Sequence, residues 1–292
     1  MRPVRKAVLP VAGLGTRVLP ATKTLPKEML PVFDRPAIAH VVAEAKAAGI
    51  EHFVFVTGRN KGAIEDYFDS AFELEETLRA KSKTELLGEL EAELPEAGAC
   101  SFVRQQAPKG LGHAVWCARD VVGNEPFAVM LPDMLMMSDT PCLQQMTKAF
   151  NRVGGNIVSV EEVPAEDVSK YGIVSVGAET EGLHEMTGMV EKPKPEAAPS
   201  RLMISGRYIL QPEIFTLLQQ QGPGAGGEIQ LTDAMLALLK TSPFHALPFD
   251  GRTYDTGSKL GYLEAVAAYA LTDRANGAAA AALLRETLDR LG

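Results

Sequence analysis

The feature that most restricts the fold is an alternation. Short apolar runs, each closed by glycine or another turn residue, take turns with stretches whose apolar residues recur at helical spacing. Residues 6–11 read as a strand ended by Gly13 and Gly15, residues 37–48 as a helix stopped by Gly49, and residues 52–56 as a β-branched and aromatic strand before Gly58. The series continues with a helix at 63–68, a strand at 101–104, a helix at 112–119 and a strand at 127–131. Such repetition predicts an α/β fold, a Rossmann-like and mainly parallel sheet with helices on both faces. Further β-like runs at Asn156–Glu162, 173–176, 185–190 and Leu202–Leu210 lie closer together and predict a mixed second half.

The length of 292 residues suits one large domain with decorations. We assign residues 1–273 to it. Within them, residues 72–96 are dominated by Glu, Leu and Lys and read as a helical surface insertion with a solvated acidic face. Residues 274–292, rich in alanine, read as a C-terminal helix that packs on the domain or on another subunit.

A net charge of -8 argues against broad binding to nucleic acid, which depends on many cations facing phosphate. No apolar run approaches the roughly 18 residues that cross a bilayer, and the N-terminal run is interrupted by Pro10, so a cytoplasmic protein without a membrane partner is expected. Cys100, Cys117 and Cys142 form no CxxC pair, and the five histidines show no HxH or HExxH spacing. A bound metal would then be a hard ion held by carboxylates and phosphate oxygens.

Residues 11–31, VAGLGTRVLPATKTLPKEMLP, carry the chemistry. Gly13 and Gly15 follow a strand, so the backbone can turn sharply and present bare N–H groups to a phosphate chain. Thr16, Arg17, Lys23 and Lys27 add hydroxyl and cationic donors, and Pro26 and Pro31 set Lys27 in a rigid, non-helical stretch. No GK[ST] ends the loop, and Val18 stands where a dinucleotide fingerprint needs its third glycine. A lone GxG is otherwise an ordinary turn. Asp133 ends the strand at 127–131, where ligands gather at the carboxyl edge of a parallel sheet, and Asp255 follows another β-like run. Two carboxylates with triphosphate oxygens would satisfy Mg2+. Asp139 competes for the first position, and Met134 leaves no second acid beside Asp133.

The ordered motifs GLGTRVLPATK, PKEMLPV, RQQAPKGLGHAV, LPDM, KYGIV, VEKP, SGRYIL, GEIQLTDA and YDTGSKLGYLEA, spread over residues 4 to about 272, resemble the sugar-phosphate nucleotidyltransferases. The PATK and PKEMLP wording is similar to the uridylyl branch, the bacterial UTP:glucose-1-phosphate uridylyltransferases. The resemblance implies that UTP lies on Ala12, Gly13, Gly15 and Arg17, with Lys27 neutralising its phosphates. It implies that Gln105, with the Gly110 backbone, reads the pyrimidine; the neighbouring Gln106 is the competing choice. Gly172, Glu191, Lys192, Gly206 and Glu228 would surround glucose 1-phosphate, Arg207 would steer its phosphate, and Asp133 and Asp255 would hold Mg2+. As a plain surface pair Glu191 and Lys192 would be worth little, and Gly206 could serve as a β-bulge. A thymidylyltransferase using dTTP is the alternative within the fold. The resemblance also implies a homodimer or homotetramer.

Overall fold

Ala7, Leu9 and Val11 face one side of the sheet while Val8 faces the other, all fully buried, and this period of two between solvent-free faces is why the first strand is apolar throughout. The computed structural model describes residues 2–292. The strands are β1 (Lys6–Pro10), β2 (Pro31–Val32), β3 (Arg35–Pro36), β4 (His52–Thr57), β5 (Cys100–Arg104), β6 (Phe127–Met130), β7 (Met134–Met137), β8 (Asn156–Glu162), β9 (Gly172–Thr180), β10 (Leu183–Glu191), β11 (Leu202–Leu210), β12 (Phe244–Pro248) and β13 (Arg252–Asp255). The helices are α1 (Ala37–Ala47), α2 (Gly62–Tyr67), α3 (Phe72–Ala80), α4 (Thr84–Glu93), α5 (Leu111–Cys117), α6 (Arg119–Val122), α7 (Cys142–Val153), α8 (Ile214–Gln220), α9 (Leu231–Leu238), α10 (Lys259–Thr272) and α11 (Gly277–Leu291).

Nine strands form one sheet in the order β5-β4-β1-β6-β11-β8-β12-β10-β9. The β5-β4-β1-β6 block is parallel, as the alternation predicts, whereas β10 and β11 run against the other strands. One core packs α1, α7 and α10 on one face, around Leu9, Phe53, Phe55 and Met130. The other packs α5, α8 and α9 on the opposite face, around Val8, Val54, Val129 and Val158.

The insertion at 72–96 is two helices rather than one. Ser82 adopts φ 53 between α3 and α4, and neither helix contains a fully buried residue. The chain folds back there because the polar AKSKT stretch breaks the apolar spacing. The sequence reading did not single out α7, β12, α8, α9 or the small antiparallel ribbon of β7 with β13. That ribbon matters most for the site, because it joins segments far apart in the chain.

Candidate active site

The parallel strands deliver their residues to one edge. After β1 the chain turns at Gly15, which adopts φ 66, and the Thr22 hydroxyl donates to the Gly15 carbonyl at 2.7 Å. A Cβ on Gly15 would stand 3.2 Å from Lys27 Cβ, so this left-handed glycine also makes room for the lysine. Lys27 itself opens a short 3-10 turn, Lys27–Met29, that brings its stem over Gly13 and Gly15. Its Nζ meets Asp133 Oδ2 at 2.5 Å.

Asp133 stands just before β7, and the β7–β13 ribbon pairs Met134 with Asp255, so both acids arrive at one end of the ribbon. The Arg17 guanidinium lies 3.7 Å from each carboxylate. Thr256 donates its N–H and its hydroxyl to the Asp133 carbonyl at 2.8 and 3.0 Å, and Gly257 N–H donates to Asp255 Oδ1 at 2.8 Å. A Cβ on Gly257 would fall 2.5 Å from the guanidinium and 2.8 Å from that oxygen. Thr256 and Gly257 were not among the predicted site residues, although both stand in the YDTG motif. Asp139 lies beyond β7, leaving Asp133 as the acid that meets Lys27 and Arg17. Lys23 is exposed at the end of the preceding 3-10 turn, Ala21–Lys23.

Burial disfavours charge on Lys27, yet the Asp133 and Glu28 carboxylates outweigh it and raise the ammonium above its ordinary value. Burial likewise works against the Asp133 carboxylate, but Lys27 and Arg17 hold it below the usual range. Asp255 moves the other way: burial, and then the neighbouring Asp133 charge, push it up. The two carboxylates thus repel each other across a guanidinium that contacts both.

On the β5 side of the loop, Gln105 is 8% exposed whereas Gln106 is exposed. The Gln105 amide donates to the Gly110 carbonyl at 3.1 Å and lies 3.0 Å from His113 Nδ1. Its NH2 is therefore engaged inside the protein, and its oxygen is the polar edge left for a ligand. His113 acts here as a support for Gln105, in line with a structural histidine. Gly110 adopts φ 96, and a Cβ there would come 2.7 Å from Glu228 Cβ and 2.9 Å from the Ile229 carbonyl. Glu228 thus backs the Gly110 loop.

On the other side, β9 and β10 pair Gly172 with Glu191. A Cβ at Gly172 would stand 3.1 Å from Glu191 Oε2, the oxygen that accepts from the Thr232 hydroxyl at 3.5 Å. Lys192 adopts φ 47, a left-handed conformation that is costly for a side-chain-bearing residue and clusters at functional sites. Its ammonium lies 3.8 Å from Glu191 and is exposed. Gly206, at φ 90, sits in a register break of β11, where a Cβ would come 2.9 Å from Met134. Its freedom serves the close approach of the turn that carries Asp133.

Arg207 corrects an expectation. It is fully buried, donates to both oxygens of Glu44 and, at 3.0 Å, to the Leu131 carbonyl. No phosphate reaches it. Glu44 also accepts the Leu143 N–H at the start of α7, so the pair ties α1, α7 and β11 to the strand end before Asp133. The motif reading mistook this arginine because strand position alone cannot say which face a charged residue takes.

A glycine turn, a lysine, an arginine and two ribbon-held acids thus meet at one end of the sheet, and residues 6–272 match the Nucleotidyl transferase family, to which this chain belongs. Within that family the chain is 50% identical over 262 residues to the UTP–glucose-1-phosphate uridylyltransferase YngB of Bacillus subtilis (strain 168), covering 90% of this chain and 88% of the relative. The UTP-bound UGPase from Acinetobacter baumannii superposes with a TM-score of 0.90 at 47% identity, covering 97% of this chain and 99% of that one. A UDP-glucose pyrophosphorylase complexed with UDP-glucose gives a TM-score of 0.81 at 45% identity, covering 91% and 98%.

Proposed function

We infer that this chain transfers the uridylyl group of UTP to glucose 1-phosphate, giving UDP-glucose and pyrophosphate. The observation that carries the reading is the Lys27–Asp133–Arg17–Asp255 cluster over the Gly13–Gly15 turn, flanked by Gln105 and by Glu191 with Lys192. Similarity to uridylyltransferases along nine-tenths of the chain selects the reaction among those such a cluster could perform.

A glucose 1-phosphate oxygen attacks the α-phosphorus, the bond to the bridging oxygen of the β-phosphate breaks, and pyrophosphate leaves. The attacking phosphate is already an anion, so no nucleophilic side chain is needed; the task is to position two anions and compensate their charge. Ala12, Gly13 and Gly15 offer backbone to the triphosphate. Lys27, held charged by its surroundings, covers the phosphates, and Arg17, whose nearest carboxylates are 3.7 Å away, can turn to them. The Gln105 oxygen accepts the uracil N3–H and the Gly110 N–H donates to a uracil carbonyl. Glu191 takes hexose hydroxyl hydrogens, Lys192 meets the sugar phosphate, and Gly172 lets the ring approach. Glu228 supports this pocket from behind Gly110, and Gly206 supports it from behind the Asp133 turn.

Asp133 and Asp255 fit Mg2+, an ion that takes one or two protein carboxylates and completes its shell with phosphate oxygens and water. Bound there, it would supply charge neutralisation at the triphosphate.

Pyrophosphate release with a panel of UTP, dTTP, ATP and GTP against glucose 1-phosphate and galactose 1-phosphate, with and without Mg2+, tests the reading. Preference for UTP with glucose 1-phosphate, dependent on Mg2+, is expected; equal use of dTTP would instead indicate the thymidylyl alternative. Gly110→Ala is expected to weaken UTP binding by about tenfold or more in calorimetry, because the added carbon cannot fit without moving the loop away from Glu228 and Ile229.

The same reading takes residues 1–273 as the catalytic unit and 274–292 as an appended helix. It makes the protein a homodimer or homotetramer, supported by the exposed leucines of α10 and α11: Leu260, Leu263, Leu283, Leu288 and Leu291. Light scattering that gave a monomer mass at micromolar concentration would reject that part. A cytoplasmic location accords with three cysteines that are all free.

A further inference from the structure

Beneath the site lies an ion pair that the mechanism above does not use. Glu28, next to Lys27 in the 3-10 turn, is 1% exposed, and its Oε2 accepts from Lys61 Nζ at 2.7 Å. Lys61 is 5% exposed and stands at the start of α2. Glu28 Oε1 is buried with no hydrogen-bond partner. A pair left half-satisfied in this way is a poor source of stability: two charges leave water, and apolar residues of similar size would often serve the fold as well or better.

What the pair does supply is direction. The turn that carries Lys27 is three residues long and follows Pro26, and Glu28 is the side chain by which it reaches Lys61. Lys61 belongs to the segment leaving β4, where Gly58 packs on Ala12 so closely that a Cβ would come 3.2 Å from the Ala12 carbonyl. The Val11 N–H bonds the Val56 carbonyl at 2.9 Å just before it. One ion pair therefore links the Lys27 turn to the same backbone that shapes the glycine turn.

We propose that Glu28 and Lys61 are positioning residues, which fix the Lys27 turn against the β4 exit so that the Lys27 ammonium stays aimed at the phosphate site. The proposal rests on the uridylyl-transfer reading, and wild-type turnover of UTP with glucose 1-phosphate, measured alongside, checks that reading separately.

The test is a cycle of variants in the full-length protein. Lys61→Met alone, at a temperature where circular dichroism shows it folded, is expected to lower kcat by about tenfold or more with KM for UTP little changed, as a displaced transition-state group would. In a Lys27→Ala background the same substitution is expected to lower kcat no further, because the group it positions is gone. A Val42→Ala variant, which opens a cavity in the core under α1, is expected to lower the thermal midpoint without lowering kcat and so to report a purely structural loss. If Lys61→Met does not fold, the isosteric Glu28→Gln carries the same comparison. Wild-type kcat in the folded variant, or an equal fractional loss with and without Lys27, would overturn the proposal.

Discussion

Replacing Lys27 with methionine is expected to lower kcat by roughly a thousandfold, the upper part of the range seen when one fixed donor to a developing charge is removed. Methionine keeps the length and much of the packing of the stem over Gly13 and Gly15 but removes the charge. That charge has two roles. In the resting site it compensates Asp133, which it meets at 2.5 Å; in the proposed reaction it would face the triphosphate. Its loss leaves a largely buried carboxylate with only the 3.7 Å contact to Arg17, so some loss of stability accompanies the loss of turnover. Steady-state kinetics on protein shown to be folded separates the two. A variant with KM raised and kcat unchanged would mean that Lys27 binds ground state and transition state alike.

The largest stability effect is expected far from any substrate. Glu44→Ala strips the partner from Arg207, whose side chain is wholly buried and which makes three of its four hydrogen bonds to that carboxylate. Leaving such a charge alone costs about 3–5 kcal/mol. At the sensitivity typical of larger domains, that lowers the thermal midpoint by roughly 10 °C. Glu44 also accepts the Leu143 N–H in the first turn of α7, so its removal frees a donor at that helix end as well. Calorimetry of the variant checks the size of the shift; an unchanged midpoint would show that the Leu131 carbonyl and water suffice for Arg207.

The parallel half of the sheet was legible because strands buried on both faces must be apolar and must end at turns. Residues 52–56 and 127–131 therefore announced themselves, and Asn156–Glu162 and Leu202–Leu210 were read at the bounds the structure shows. The glycine turn and Asp133 were singled out for the same reason, since they follow strand ends, where ligands collect, and the structure brings Lys27 to both. The direction of β10 and β11 was not, since one strand's composition carries no record of its neighbour's orientation. Gln105 could be picked out by its spacing from Pro108, but the structure was needed to show that its NH2 is spent on Gly110 and His113. Arg207, Glu28 and Lys61 look in sequence like any surface charges. Only burial distinguishes them, and burial is a property of the assembled sheet.

The ribbon of β7 and β13 has a consequence for how this protein comes into being. Thr256, which closes the hydrogen bonds to the Asp133 carbonyl, is 123 residues further along the chain. During synthesis the phosphate turn, the base pocket and the first acid all leave the ribosome long before their last partner exists. The pairing of the two acids must therefore arise late, and a nonsense codon between Met130 and Arg252 would yield a polypeptide that holds every strand of the β5-β4-β1-β6 block yet lacks the second acid.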